Sequence, residues 1–195
     1  MRRLSNSPTA PREVLIGTYT ERLPHAVGKG EGIMLCTFAD GRLSPPSLVV
    51  TIRNPAYITS TPSGDRVYAA SETFEFEGQP GGAVTSFARD LRTGALRLLN
   101  TKLSGGDQPC YIATDASGDF ALVANYGTGS VAVFELEKDG SLGQMSDFVQ
   151  HHGLGPHPVR QTGPHPHMVF FYPPKWPARD LAMTCSSPTS ARARC

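Results

Sequence analysis

Short apolar runs, broken by Gly, Pro, Ser and Asp, occupy the chain from Val14 to Val149. None holds a 3.6-residue apolar period for three turns, so the pattern predicts strands and no helix. The predicted strands are 56–61, 66–71, 82–87 and 96–103, then 111–115, 120–126, 130–136 and 142–149. These two sets are copies of one unit. Asn54-Pro55-Ala56-Tyr57-Ile58 returns 54 positions on as Gln108-Pro109-Cys110-Tyr111-Ile112. Pro62-Ser63-Gly64-Asp65 returns as Ala116-Ser117-Gly118-Asp119, and Val67-Tyr68-Ala69-Ala70-Ser71 as Ala121-Leu122-Val123-Ala124-Asn125. A Gly-x-Leu turn leads into each fourth strand, at Gly94-Ala95-Leu96 and Gly140-Ser141-Leu142. Glycine there permits the positive φ that tight hairpin turns need.

A partial unit precedes the two, with strands at 14–18, 33–38 and 47–52 but no opening Pro-x-Tyr strand. Another opens at Pro166-His167-Met168-Val169-Phe170-Phe171. Four-stranded units at this spacing predict an all-β fold of the β-propeller type, with only about three and a half blades present. The blade units are 13–53, 54–107 and 108–150, with the next starting from 164. Blades pack on both faces, which explains near-continuous apolar strands such as Phe120-Ala121-Leu122-Val123-Ala124. A flat β-sandwich is the alternative, and the recurrence of the same punctuation argues against it. Residues 1–12 read as a disordered N-terminus rather than a secretory leader, since their three arginines flank no apolar core. Residues 172–195 carry no strand or helix pattern, and three prolines in Pro173-Pro174-Lys175-Trp176-Pro177 cannot serve a ladder strand. That stretch reads as a disordered tail or the product of a shifted reading frame. Resequencing the coding DNA separates the two.

Composition narrows the class. With 20 glycines, 17 prolines and 18% charged residues, the chain has the make-up of a turn-rich β protein. A net charge of +1 gives no electrostatic case for nucleic acid or an anionic membrane. Apolar runs such as Val131-Ala132-Val133-Phe134 fall far short of the ~20 residues a bilayer span needs. The four cysteines have no paired spacing, and Cys36 and Cys110, inside strand patterns, read as reduced, buried small hydrophobes. A cytoplasmic location is expected.

Several motifs occur in a fixed order: Ile16-Gly17-Thr18-Tyr19-Thr20, Asn54-Pro55-Ala56-Tyr57, Gly82-Ala83-Val84, Gln108-Pro109-Cys110, Val123-Ala124-Asn125-Tyr126-Gly127, and Arg160-Gln161 with Pro164-His165-Pro166-His167. On these motifs the chain resembles the 6-phosphogluconolactonase/carboxymuconate-cyclase-like lactonases, the cycloisomerase 2 family, over residues 13–171. The resemblance covers about the first half of that family's usual length. It implies a seven-bladed β-propeller that hydrolyses a sugar lactone such as 6-phosphogluconolactone, without metal or cofactor. Two departures stand out: Tyr111 follows the Pro-Cys pair where the family often has His, and Tyr172-Pro173 replaces the Asp-Pro after the His-Pro-His strand.

The segment 151–167 holds five of the six histidines. Lactone hydrolysis needs a base for water, donors for the tetrahedral oxyanion and a cation for any anionic substituent. The resemblance puts Arg160, His165 and His167 near the substrate cleft. His165 or His167 is then the base or oxyanion donor, and Arg160 the anion binder. Glu72 and Asn125 close the second strands of successive units at matching positions and are candidate substrate-binding residues. The bland reading of both is that they satisfy turn backbone. A zinc site among the histidines lacks helical His-x-x-x-His or Cys pairing and is not predicted. Gly28-Lys29-Gly30-Glu31-Gly32 reads as a flexible hairpin loop rather than a phosphate cradle. The expected partner is a small lactone, with self-association through open blade faces. Two other readings remain: a non-catalytic propeller scaffold, and an inactive truncation product.

Overall fold

The computed structural model describes residues 10–171. All regular structure within them is β, in three main sheets. The first contains β1 (Arg12–Gly17), β4 (Gly32–Ala39), the short β5 (Arg42–Leu43) and β6 (Ser47–Thr51). Between β1 and β4 a small ribbon forms from β2 (Arg22–Leu23) and β3 (Ala26–Val27). The second sheet is β7 (Pro55–Ser60), β8 (Arg66–Ser71), β11 (Ala83–Arg89) and β12 (Leu96–Leu103), with its own ribbon of β9 (Glu75–Phe76) and β10 (Gln79–Pro80). The third is β13 (Pro109–Thr114), β14 (Phe120–Asn125), β15 (Ser130–Leu136) and β16 (Leu142–Gln150). Neighbours in each sheet run antiparallel.

The 54-residue recurrence is a recurrence of register. Pro55 pairs with Ser71 and Pro109 with Asn125, each followed by a bulge before the tyrosine, Tyr57 or Tyr111. The residues just before the prolines, Asn54 and Gln108, both take positive φ (40° and 52°). The Gly-x-Leu turns behave alike, with φ of 75° at Gly94 and 86° at Gly140. In the Ser-Gly-Asp turn of the third sheet, Asp115 Oδ1 accepts the backbone N–H of Asp119 and Phe120, both at 2.9 Å.

Alternation along β8 explains how the sheets stack. Val67 and Ala69 join Phe87 and Ile33 in the core shared with the first sheet. Tyr68 and Ala70 join Val84, Val123, Ala132 and Phe134 in the core shared with the third. The middle sheet therefore buries apolar side chains on both faces, and burying each large one stabilises by about 1.5–3 kcal/mol. Polar rungs cross the same seam: Tyr68 donates to Gly140 O at 3.0 Å, and Asn100 binds both N–H and C=O of Leu142. Innermost strands β7 and β13 run against each other, whereas the outer strands β12 and β16 barely meet. Sheets that touch inside and splay outside are blades, not the two layers of a sandwich.

Three details differ from the sequence reading. β1 opens at Arg12, inside the stretch read as a disordered terminus; residues 1–9 lie outside the described residues. The Gly28–Gly32 segment is ordered rather than a flexible loop: the N–H of Gly28 donates to Glu21 O and that of Gly30 to Tyr19 O, both at 2.9 Å. A Cβ on Gly30 would lie 2.1 Å from Thr18 Oγ1, so only glycine permits this close return. Finally, residues 166–171, where a strand is expected, are in no sheet formed by the described residues. Val169 packs on Ala124 and Val131 where the next blade would, but the strand to pair with it would start eleven residues after Pro166, by analogy with Pro55 to Arg66. That position, like the whole expected tail from 172, lies outside the described residues.

Candidate active site

Loops at the inner ends of the strands are stitched together by backbone bonds. Glu72 N donates to Asn54 O at 2.9 Å, Gln108 N to Thr73 O at 3.0 Å, and Tyr126 N to Gln108 O at 3.0 Å. The rungs tie the ends of β8 and β14 to the positive-φ corners before β7 and β13. Side chains on these loops form the mouth.

On the side of the third sheet, His165 stacks on Tyr126 with centroids 4.4 Å apart and planes at 23°. His167 leans on the same ring at 4.6 Å. His165 Nδ1 lies 2.8 Å from Tyr126 O. A carbonyl oxygen only accepts, so Nδ1 carries the hydrogen, and in the neutral ring Nε2 holds the lone pair. The two histidines expected from sequence are thus brought onto one aromatic platform.

On the side of the first two sheets, Glu72 is only 6% exposed. Its Oε2 accepts the Tyr19 hydroxyl at 2.6 Å, and its Oε1 faces His25 Nε2 at 3.1 Å. Burial, then the hydrogen bond to Glu72, raises the Tyr19 phenol well above its ordinary range. Cys110 links the two halves. Its Sγ lies 3.6 Å from Pro166 O and 3.7 Å from His167 O. Burial, and then the negative charge of Glu72, pushes its thiol up to about 11. Because only the thiolate alkylates, Cys110 should react slowly with iodoacetamide at pH 8, and faster as the pH rises toward 11. Glu72→Gln should speed the reaction at pH 8; an unchanged rate would mean that the carboxylate does not act on the thiol. Cys110 is therefore part of the mouth's wall and not simply a strand hydrophobe.

Glu72 and Asn125 are not at matching positions. Ser71 pairs with Ala83 and Asn125 with Ser130, so the counterpart of Asn125 is Ser71 and that of Glu72 is Tyr126. One residue of offset changes the face. Asn125 is fully buried, with Nδ2 donating to Ser104 O at 3.0 Å and to Ser130 Oγ at 3.2 Å. Its Oδ1 has no hydrogen-bond partner among the described residues. Arg160 is exposed on a turn in which its backbone N–H and that of Val159 both donate to His157 Nδ1. His157 is occupied in holding that turn. Among the described residues no three His, Cys, Asp or Glu side chains converge on a metal position.

Sequence reasoning passed over Tyr19, His25, Cys110 and Tyr126 as site residues. Tyr126 was detectable as the 54-residue counterpart of Glu72. His25 had no signal, since its partner lies in the next unit.

Three consecutive blades, with histidines, a buried carboxylate and tyrosines on their loops, make a partial propeller, and the comparisons with known proteins agree. The profile of the family described as lactonase, 7-bladed beta-propeller matches residues 13–179, and the chain belongs to that family. It is 34% identical over 160 residues to 6-phosphogluconolactonase of Bacillus subtilis (strain 168), a match covering 81% of this chain and 42% of that protein. A 6-phosphogluconolactonase of Formosa agariphila is 29% identical, with 73% and 38% covered. Among solved structures, the Pseudomonas aeruginosa periplasmic gluconolactonase superposes with TM-score 0.70 at 31% identity, covering 80% of this chain and 43% of that one. The chain thus spans about two fifths of the length of these relatives.

Proposed function

We propose that this chain forms part of the mouth of a sugar lactonase, with 6-phosphogluconolactone as the preferred substrate. The observation that carries the reading is the fixed tautomer of His165, whose Nε2 is free to act as a base beside Tyr126. Nε2 takes a proton from water as the water oxygen bonds to the lactone carbonyl carbon. The ring C–O bond then breaks, and its oxygen takes the proton held on Nε2 and leaves as the new hydroxyl, regenerating the base. His167, on the same platform, is the donor for the oxyanion. Glu72 and Asn125, the candidates for substrate binding, are both buried and would serve it indirectly, by holding the loops around it. Arg160 would meet a phosphate or carboxylate from its exposed turn. The relatives' names, 6-phosphogluconolactonase and gluconolactonase, support the substrate class. Free Cys36 and Cys110 support a reducing, cytoplasmic setting; among the described residues no helix is long and apolar enough to cross a membrane.

The test is direct. Purified protein given glucono-1,5-lactone or its 6-phosphate should release acid faster than the spontaneous rate, read with a pH indicator. No acceleration with either lactone would overturn the proposal. The alternative is a scaffold, for which the exposed Arg160 would be a protein contact. It predicts protein binding with no lactone opened.

Self-association belongs to the same reading. In the first sheet, Ile16 and Phe38 lie on the face turned from the core, 36% and 38% exposed. In the third, Val149 pairs with Val131 on the outward face and is 45% exposed. Contiguous apolar faces of this kind seek partners. The 195-residue polypeptide made by itself should sediment as a dimer or larger. A stable monomer at micromolar concentration would count against it.

A further inference from the structure

The two seams between sheets share one register and are closed differently. Where the third sheet faces the second, Ala132 pairs with Phe148 and Phe134 with Met145. The Phe148 ring covers Gly105, where a Cβ would lie 3.3 Å from its Cε2. Where the second sheet faces the first, the pairing repeats, bulge included, as Thr85 with Thr101 and Phe87 with Leu98. Ala83 pairs with Ser71 and Ser130 with Asn125, so Thr85 corresponds to Ala132 and Thr101 to Phe148. A hydroxyl and a methyl thus stand where the other seam has a phenyl ring. A cleft of about 230 Å³ opens at Thr101.

The lining says what would fill it. Val50 and Ile52 contribute from the first sheet and its exit, Phe87, Leu98 and Thr101 from the second, and Phe76 from the β9–β10 ribbon. Two phenyl rings among these walls favour an aromatic guest, which they can meet edge-on or offset-stacked. The Thr85 and Thr101 hydroxyls share one hydrogen bond at 3.0 Å, so one of their two hydrogens remains to donate. Arg53 also borders the cleft, but its guanidinium is engaged by two carboxylates, Glu21 at 2.6 Å and Glu75 at 3.6 Å. It leaves no unpaired cation for an anionic guest. Apolar cavities of about 150 Å³ already admit benzene, so one ring with a hydroxyl fits the space. We propose that this cleft between the first two blades is a binding site for a small neutral aromatic molecule of the phenol class, seated where Phe148 sits in the next seam. The site is separate from the histidine platform and does not depend on lactone chemistry.

The probe is phenol itself, added to the 195-residue protein with its methyl groups followed by NMR. Methyl resonances of Val50, Ile52 and Leu98 should shift under the ring current of the guest. They should saturate with a Kd of roughly 0.1–1 mM, about what a ligand of so few heavy atoms can reach. Nuclear Overhauser contacts should run from the phenol ring protons to the same methyls. Thr101→Phe supplies the missing ring covalently, and should weaken phenol binding at least tenfold. Benzoate, of similar size but charged, should also bind at least tenfold more weakly than phenol. Methyl resonances that stay still up to about 10 mM phenol overturn the site. So does a Thr101→Phe protein that binds phenol as wild type does, while equal binding of benzoate overturns the restriction to neutral guests. If Thr101→Phe does not fold, the Overhauser contacts in wild type decide alone: contacts to Val50 and Ile52 support the site, and contacts elsewhere or none overturn it.

Discussion

His165→Ala should lower lactone hydrolysis by roughly 10²–10⁴-fold, the contribution of one well-placed general base. At 1.36 kcal/mol per decade this is about 2.7–5.4 kcal/mol of transition-state stabilisation. The loss should fall on kcat, because the proton leaves water only as the carbonyl is attacked. KM should change little if Arg160 carries binding. His165→Gln is the informative companion, since it fills the space against Tyr126 but offers no titrating base. Both variants should lose activity alike. If glutamine restores it, His165 acts through packing and the assignment of Nε2 as the base fails. The fold should tolerate either change, because His165 lies on the loop after β16 and is only partly buried, outside the three cores.

How far the sequence carried this picture depends on the range of the forces involved. The strands of the second and third sheets were legible to within a residue or two, because their punctuation is local. Pro55 and Pro109 fix the entry, the Ser-Gly-Asp turns close on their own aspartates, and Gly94 and Gly140 accept positive φ without help from elsewhere. The stacking of blades followed from continuous apolar runs such as Val67–Ala70, which serve two cores at once. The ribbons β2–β3 and β9–β10 were illegible, since two-residue strands carry no periodicity. Half the site was hidden for the same reason. Tyr19 reaches Glu72 across 53 residues, and Thr20 reaches Asn54 across 34, with no local signal for either. His165 and His167 were legible only through the family resemblance, and Arg160, carried over with them, lies exposed on a turn of the same loop. The pairing of Glu72 with Asn125 failed on an offset of one residue, which in a strand is the difference between facing the mouth and supporting it.

Asn54→Ala should be among the most destabilising single changes in the mouth. Asn54 is fully buried, and its Oδ1 accepts the backbone N–H of Thr20 at 2.9 Å and of Glu21 at 3.1 Å. Its own backbone receives Glu72 N and donates to Thr20 Oγ1. Removing the side chain orphans two backbone donors, each costing about 1–3 kcal/mol where water cannot reach. Alanine must also hold φ near 40°, a conformation that costs a further ~1 kcal/mol without asparagine's local hydrogen bonding. A loss of roughly 3–7 kcal/mol, read from denaturant midpoints, is the expected sum, against a typical total stability of about 5–15 kcal/mol. Asn54→Gly separates the causes, because glycine accepts the positive φ but leaves the same donors unpaired. It should recover about 1 kcal/mol and no more. If glycine restores wild-type stability, backbone strain alone set the cost and the Thr20–Glu21 bonds contribute nothing. If the bonds matter, both variants should also loosen the loop carrying Tyr19, and the Tyr19 phenol should ionise at lower pH than in wild type, read at 295 nm against a Tyr19→Phe control. The corner before β7 would then be what holds the first blade's loop over Glu72.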